Sequence, residues 1–458
     1  MVRSRILMIS ALILGILGCA PKEAYRIGSA ASETVSADPK LCPELKEASP
    51  HKIPVAYVEI DEQGDFQNRD QVKHALGIVA KPGKPKYVVV FVHGWFHSAG
   101  TTDDNVKRFK CALNNIQSIE GNADEEVIGV YVGWRGASWT LPGIKFVTFW
   151  DRKNTSDEIG RGSLVEFLTR LEQTVKPPED NRNKLMLVGH SFGASVVFNS
   201  IAPILMERFL LDTARLASKT AGGHSQSKPG LVSGYGDLVV LVNPAIEATR
   251  IMPFFSMLNA YTAEQPNLFA PGQPARLVIL SSEGDWATRI TFPTARVFST
   301  MLEVYMDREL VTPYKDSINL EQRHLDWRTM GNVAGLQTHL PLQETQQWNG
   351  KCPQRRGESR WLEEAINTRM DEQRAKGEVP TGAGWRRVFG GSTIALAHRG
   401  ITTPSNPLWI MAVGTKLIPS HSGITNPALI CLFDELLGDP EKAKSAGERH
   451  QPEPPAKK

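Results

Sequence analysis

The sequence predicts an α/β fold: a mostly parallel central sheet flanked by helices. Two observations carry that expectation. Short apolar runs rich in β-branched residues recur at 55–60 (VAYVEI), 87–92 (YVVVFV), 127–132 (VIGVYV), 184–189 (KLMLVG), 238–242 (LVVLV), 276–280 (RLVIL) and 408–413 (LWIMAV). They are continuous rather than alternating, as strands covered on both faces must be. Between several of them the apolar spacing is helical: Val106, Phe109, Leu113 and Ile116 share one face, and so do Leu164, Phe167, Leu168, Leu171 and Val175, with Ser163 placed as an N-cap. Strand and helix in alternation pack as a sheet between two helical layers.

At 458 residues, 41% hydrophobic and 22% charged, the chain can bury a large core as one domain with insertions or as two domains. Lys+Arg 52 against Asp+Glu 49 gives +3, and no basic run is interleaved with aromatics, so nothing points to a nucleic-acid partner.

The amino terminus has the order of an export signal: basic Arg3 and Arg5, an apolar stretch from Ile6 to Leu17, then Gly18 and Cys19. The stretch is short for a bilayer span. "ILGC" resembles the lipobox of bacterial lipoproteins, and the resemblance implies that 1–18 is a signal peptide and that Cys19 carries the lipid, diacylglyceryl and palmitate. The expected product is an exported protein of the bacterial envelope, held to the membrane by that anchor. Residues 19–52 are expected to be a polar tether and 438–458 a disordered tail. In an oxidising compartment Cys42, Cys111, Cys352 and Cys431 can pair, but sequence leaves several connectivities open. Cys111 and Cys431 fall in helix-like stretches and read as buried free thiols.

Reactive groups in such a sheet gather beyond the carboxyl ends of the strands. There, Gly189-His190-Ser191-Phe192-Gly193 fits G-x-S-x-G between the run ending at Val188 and a helical face begun by Val196, Val197 and Ile201. A serine on so sharp a turn has strained backbone angles, and glycines on either side let strand and helix approach.

From this motif the chain resembles the serine hydrolases of the α/β-hydrolase superfamily, the esterases and lipases, over about 55–290 and 406–437. The resemblance implies a hydrolase domain over 53–437, an oxyanion hole after an early strand, and an acid and a histidine that follow the serine in that order. His93-Gly94-Trp95 is similar to the family's H-G-x motif, which assigns the oxyanion donors to the amides of Trp95 and Phe192, with His93, His97 and His190 as supporting residues. The acid is expected at Asp285 in "LVILSSEGDW", with Glu283 and Glu247 as rivals. The base is expected at His421, between the final strand and a helix begun by Thr425 or Asn426 with Pro427 in its first turn. His398 is its rival. The resemblance thus implies a Ser191–His421–Asp285 triad cleaving carboxylic esters through an acyl-enzyme, with no cofactor or metal called for. Its rate should rise as an imidazole with a pKa of about 6.5 to 7 loses its proton.

The interval from Asp285 to His421 is long for this fold, so a cap is expected over about 288–400. It includes the helix-like, charged stretch at 359–376, and the aromatic stretch at 136–150 could line a pocket. The same triad would serve a thioesterase, amidase or acyltransferase, and an inactive binding protein on the same fold stays open. Neither the ester nor the oligomeric state is legible.

Overall fold

Every apolar run above is a strand of one sheet. In chain order its strands are β1 (Ser32–Val35), β2 (Ile53–Ile60), β3 (Lys86–Val92), β4 (Glu126–Trp134), β5 (Lys184–His190), β6 (Leu238–Val242), β7 (Leu277–Ser282) and β8 (Leu408–Val413). Their spatial order is β1-β2-β4-β3-β5-β6-β7-β8. All neighbours run parallel except β1, which pairs antiparallel with β2 at the edge. The computed structural model describes residues 23–35, 52–119, 122–137, 149–178, 182–221, 231–266, 268–269, 273–300, 302–314, 317–344, 386–389, 394–403 and 405–437. Cys19, Cys42, Cys352, most of 136–150, the stretch 359–376 and the tail 438–458 lie outside them.

The helices are α1 (Arg69–Val79), α2 (Asp104–Gln117), α3 (Phe149–Arg161), α4 (Leu164–Val175), α5 (Phe192–Ala221), α6 (Met252–Glu264), α7 (Phe292–Ser299), α8 (Gln322–Trp327) and α9 (Pro427–Leu437). Continuous apolarity in the strands has the anticipated cause. Along β3, Val88, Val90 and Val92 face a core shared with Phe167, Leu168 and Leu171 of α4 and Val196, Val197 and Ile201 of α5. The alternate residues Tyr87, Val89 and Phe91 face a second core with Val106, Phe109 and Leu113 of α2 and Leu429 and Leu432 of α9. Each such side chain, fully buried, stabilises the fold by about 1.5–3 kcal/mol.

Among the described residues α5 contains one segment, Phe192–Ser218, long and apolar enough to cross a membrane, and half of that window is buried in the protein. It is a core helix that begins directly after Ser191.

Several expectations are corrected. The stretch 19–52 is not tether throughout, because Ser32–Val35 pairs with β2 and Arg26 is buried just ahead of it. The Arg26 guanidinium lies 3.9 Å over the Tyr57 ring, and its Nε donates to the Ala99 carbonyl at 2.7 Å. Ser163 precedes α4 in a helical conformation and makes no capping bond; its hydroxyl donates instead to Asp65 Oδ1 at 2.7 Å. Asn426 does cap α9, accepting from the Ala428 amide at 2.8 Å. Cys111, in α2, and Cys431, in α9, are not free thiols: each is disulfide-bonded.

Between β7 and β8 the chain forms α7, a hairpin of Asp307–Val311 with Ser317–Glu321, and α8. It then returns to the core. Met330, Leu336 and Leu342 are fully buried, the Thr338 amide donates to the Ile410 carbonyl at 2.8 Å, and the Leu342 amide to the Ala412 carbonyl at 2.8 Å. Part of the interval expected as a cap is therefore packed along β8. A small sheet of Gln343–Glu344, Ile394–Ala397 and Arg386–Phe389 follows.

Candidate active site

β5 ends at His190, α5 begins at Phe192, and Ser191 alone makes the turn between them, with φ 58. That left-handed conformation costs a residue with a Cβ on the order of 1–3 kcal/mol and must be held by its surroundings. The Ser191 amide donates to the Val242 carbonyl at 3.1 Å, and the Ser191 carbonyl accepts from the Ala194 and Ala245 amides, both at 3.1 Å. The motif's glycines are required by space. A Cβ on Gly193 would fall into the carbonyl oxygens of Val92 and His93, and one on Gly189 would come within 2.7 Å of Ala194 Cα.

His421 lies on the loop from β8 to α9 and meets the elbow from across the sheet. Its Nε2 is 2.8 Å from Ser191 Oγ and its Nδ1 is 2.8 Å from Asp285 Oδ2. A carboxylate only accepts, so Nδ1 carries the proton and Nε2 offers its lone pair to the serine hydroxyl. Asp285, just past β7, is fully buried. Burial alone would raise its pKa, but the His421 hydrogen bond and charge and the bonds from Thr288 outweigh it and hold the carboxyl below its ordinary 3.8. The bonds are specific: Oδ1 accepts from the Ala287 and Thr288 amides at 2.9 and 3.2 Å, and Oδ2 from Thr288 Oγ1 at 2.6 Å.

The rivals lie elsewhere. Glu283 is exposed. Glu247 is buried in an ion-pair cluster, 3.3 Å from Lys153 Nζ and 3.2 Å from Arg296 Nη1. His398 accepts from the Gly400 amide at 3.0 Å and packs edge-on against His339.

The loop after β3 presses against the serine: a Cβ on Gly94 would sit 2.8 Å from Ser191 Cβ. This brings the loop that carries Trp95 beside Ser191. Phe192 is the first residue of α5, where an amide has no acceptor within the helix. The loop is braced from below. His93 Nε2 accepts from the Trp134 amide at 3.0 Å, the Trp134 indole donates to the His93 carbonyl at 2.8 Å, and the rings stack 5.6 Å apart. Burial pushes His93 down to about 4, so it stays neutral. His97 Nδ1 lies 3.1 Å from Asp103 Oδ1. Phe96 is held at φ 68 with its amide on the Gly136 carbonyl at 2.9 Å. For so bulky a residue this is real strain, and it sits next to Trp95 on the loop packed against Ser191.

Aromatic rings continue from Trp95 and Phe192: Trp95 lies 5.8 Å from Phe192 and 5.4 Å from Phe149, and Phe149 lies 6.2 Å from Phe292. This gives the site an apolar flank. One participant escaped sequence reading. Asn243, at φ 47 just after β6, donates from Nδ2 to the His421 carbonyl at 2.9 Å and accepts the Ser282 amide at 2.8 Å. Its only sequence signal is an asparagine at a strand end before Pro244, a place where asparagine tolerates left-handed backbone.

The geometry provides a hydroxyl, an imidazole of fixed tautomer and a buried carboxylate in one hydrogen-bonded chain, with the loop after β3 packed against the serine. No family model, curated protein or solved structure matches the chain.

Proposed function

We propose that the protein is a serine hydrolase of the α/β-hydrolase type that cleaves carboxylic esters. The observation that carries this reading is the His421 imidazole bridging Ser191 Oγ and Asp285 Oδ2, each at 2.8 Å. Ser191 Oγ attacks the acyl carbon while His421 Nε2 takes its proton, and the carbonyl π bond opens to an oxyanion held by the Trp95 and Phe192 amides. Collapse of that intermediate breaks the bond to the alcohol, which leaves with the proton from His421. Water, deprotonated by the same nitrogen, then attacks the acyl-enzyme and frees the acid and Ser191. Asp285, ionised throughout, stabilises the imidazolium formed at each step.

The aromatic flank running from Trp95 through Phe149 to Phe292 supports an apolar acyl group. The exposed side chains of Trp286, Ile290, Leu302 and Val304 after β7 support a role for that segment as a cap contacting substrate. For the location we propose the bacterial envelope with a lipid on Cys19. The disulfide bonding of Cys111 and Cys431 supports this, since such bonds persist in oxidising compartments. Accumulation of a longer precursor under globomycin would test the anchor.

The activity is tested with p-nitrophenyl esters of graded acyl length. A burst of nitrophenolate equivalent to the enzyme, then steady turnover, is expected. No release from any ester by folded protein would overturn the reading. A thioester or amide would meet the same groups, and matched substrates in the same assay rank the leaving groups.

A further inference from the structure

The His421 carbonyl oxygen accepts two hydrogen bonds, from His190 Nε2 at 2.7 Å and from Asn243 Nδ2 at 2.9 Å. We infer that His190 and Asn243 are positioning residues that clamp this carbonyl between them and thereby set how the His421 imidazole approaches Ser191. The catalytic meaning of the clamp rests on the serine-hydrolase reading; the geometry does not.

Both donors are unambiguous. A carbonyl can only accept, so His190 Nε2 carries the ring proton, and Nδ1 is left as a buried lone pair without a hydrogen-bond partner. The ring is 1% exposed and its centroid lies 4.9 Å from that of His421. Asn243 is fully buried, and its Oδ1 faces the Ser282 amide, which fixes the amide so that Nδ2 must face the His421 carbonyl.

Each donor is also tied to another part of the site. His190 is bonded covalently to Ser191. The residue before Asn243, Val242, accepts the Ser191 amide at 3.1 Å, and Asn243 itself donates its amide to the Leu280 carbonyl at 2.7 Å. Ser282, held by Asn243, donates its hydroxyl to the Ile418 carbonyl at 2.6 Å on the same loop as His421. Nucleophile, acid strand and base loop are thus locked into one frame through a single carbonyl. The imidazole bonds alone would leave that loop free to swing about them, and a misplacement of about 1 Å can cost on the order of a hundredfold in rate.

The test uses the full mature chain with His190→Phe, which keeps a ring and removes the donor, His190→Gln, which restores an amide donor, and Asn243→Gly, which tolerates the left-handed backbone without strain. Three quantities are read: kcat and KM on a p-nitrophenyl ester, the thermal midpoint, and the downfield proton resonance of His421 Nδ1–H. His190→Phe and Asn243→Gly are each expected to lower kcat about ten- to a hundredfold with KM changed less than about twofold, and to broaden or shift the imidazole resonance. His190→Gln is expected to recover both. A purely structural role would lower the thermal midpoint while leaving kcat and the resonance of the folded protein as in the wild type, and that result overturns the clamp. If the wild type hydrolyses no ester, the hydrolase reading fails by itself; the resonance then decides, its persistence in both donor-less variants overturning the clamp and its loss upholding it.

Discussion

His421 Nε2 and Ser191 Oγ stand 2.8 Å apart although 230 residues separate them in the chain. Neither local sequence nor a shared element brings them together. The parallel sheet does: it delivers the ends of β5, β7 and β8 to one edge, so the serine, the carboxylate and the imidazole each sit just beyond a strand.

Of the two buried carboxylates near these strand ends, only Asp285 contacts the imidazole. Asp285→Asn should lower kcat about 10⁴-fold, because an amide no longer enforces the tautomer that leaves Nε2 free to accept. Glu247→Gln should act on stability instead, costing about 1–3 kcal/mol through weaker bonds to Lys153 and Arg296, which keep Asp157 and Asp326 as partners, while the fraction that stays folded keeps its turnover. Steady-state kinetics and chemical denaturation on both variants separate the roles, and a reversed pattern would reassign the acid.

The acid limb of the pH–rate profile should have unit slope. Burial holds His190 at about 3 and His93 at about 4, so both stay neutral at pH 5 and above, and Asp285 is ionised there. None of these three groups then adds a second proton to that limb. A limb of slope two in log(kcat/KM) would mean that one of the buried histidines also ionises.

Those same histidines make the fold acid-sensitive. Above pH 6.5, their ordinary value, both are neutral folded or unfolded and contribute nothing to the pH dependence. Below it the unfolded chain binds protons that the native protein refuses. Stability therefore falls as pH drops from 6.5 toward about 4, by up to about 1.4 kcal/mol per pH unit for each histidine. Denaturant midpoints measured across this window in the wild type and in His190→Gln should differ in slope by one such increment. Equal slopes would count against a buried neutral His190.

The disulfide bonds made by Cys111 in α2 and by Cys431 in α9 should stabilise the protein, typically by about 2–4 kcal/mol for such a bond. Neither cysteine should react with a maleimide in the folded, unreduced protein, and Cys111→Ser should lower the denaturation midpoint. Alkylation of Cys111 without reductant would contradict its disulfide bonding.

Much of this architecture was legible because burial on both faces leaves a local trace. A run such as YVVVFV can only be a covered strand, and Gly193, pinned against the Val92 and His93 carbonyls, has no alternative residue. His421 could be preferred over His398 from its strand–loop–helix setting alone. What sequence did not show depends on long-range pairing. Ser32–Val35 looks polar because an edge strand needs few apolar residues, and Ser163 looks like a cap until Asp65 claims its hydroxyl. The disulfide bonding of Cys111 and the role of Asn243, which contacts His421 and Ser282, depend on long-range neighbours, about which local periodicity carries no information.

The most direct measurement is covalent. Incubating the mature protein with a fluorophosphonate and mapping the adduct by mass spectrometry should give one phosphonyl group on Ser191, formed quickly in the wild type, much more slowly in His421→Ala, and not at all in Ser191→Ala. Labelling that is equal in wild type and Ser191→Ala, or absent from folded wild type, would contradict a nucleophilic serine at this site.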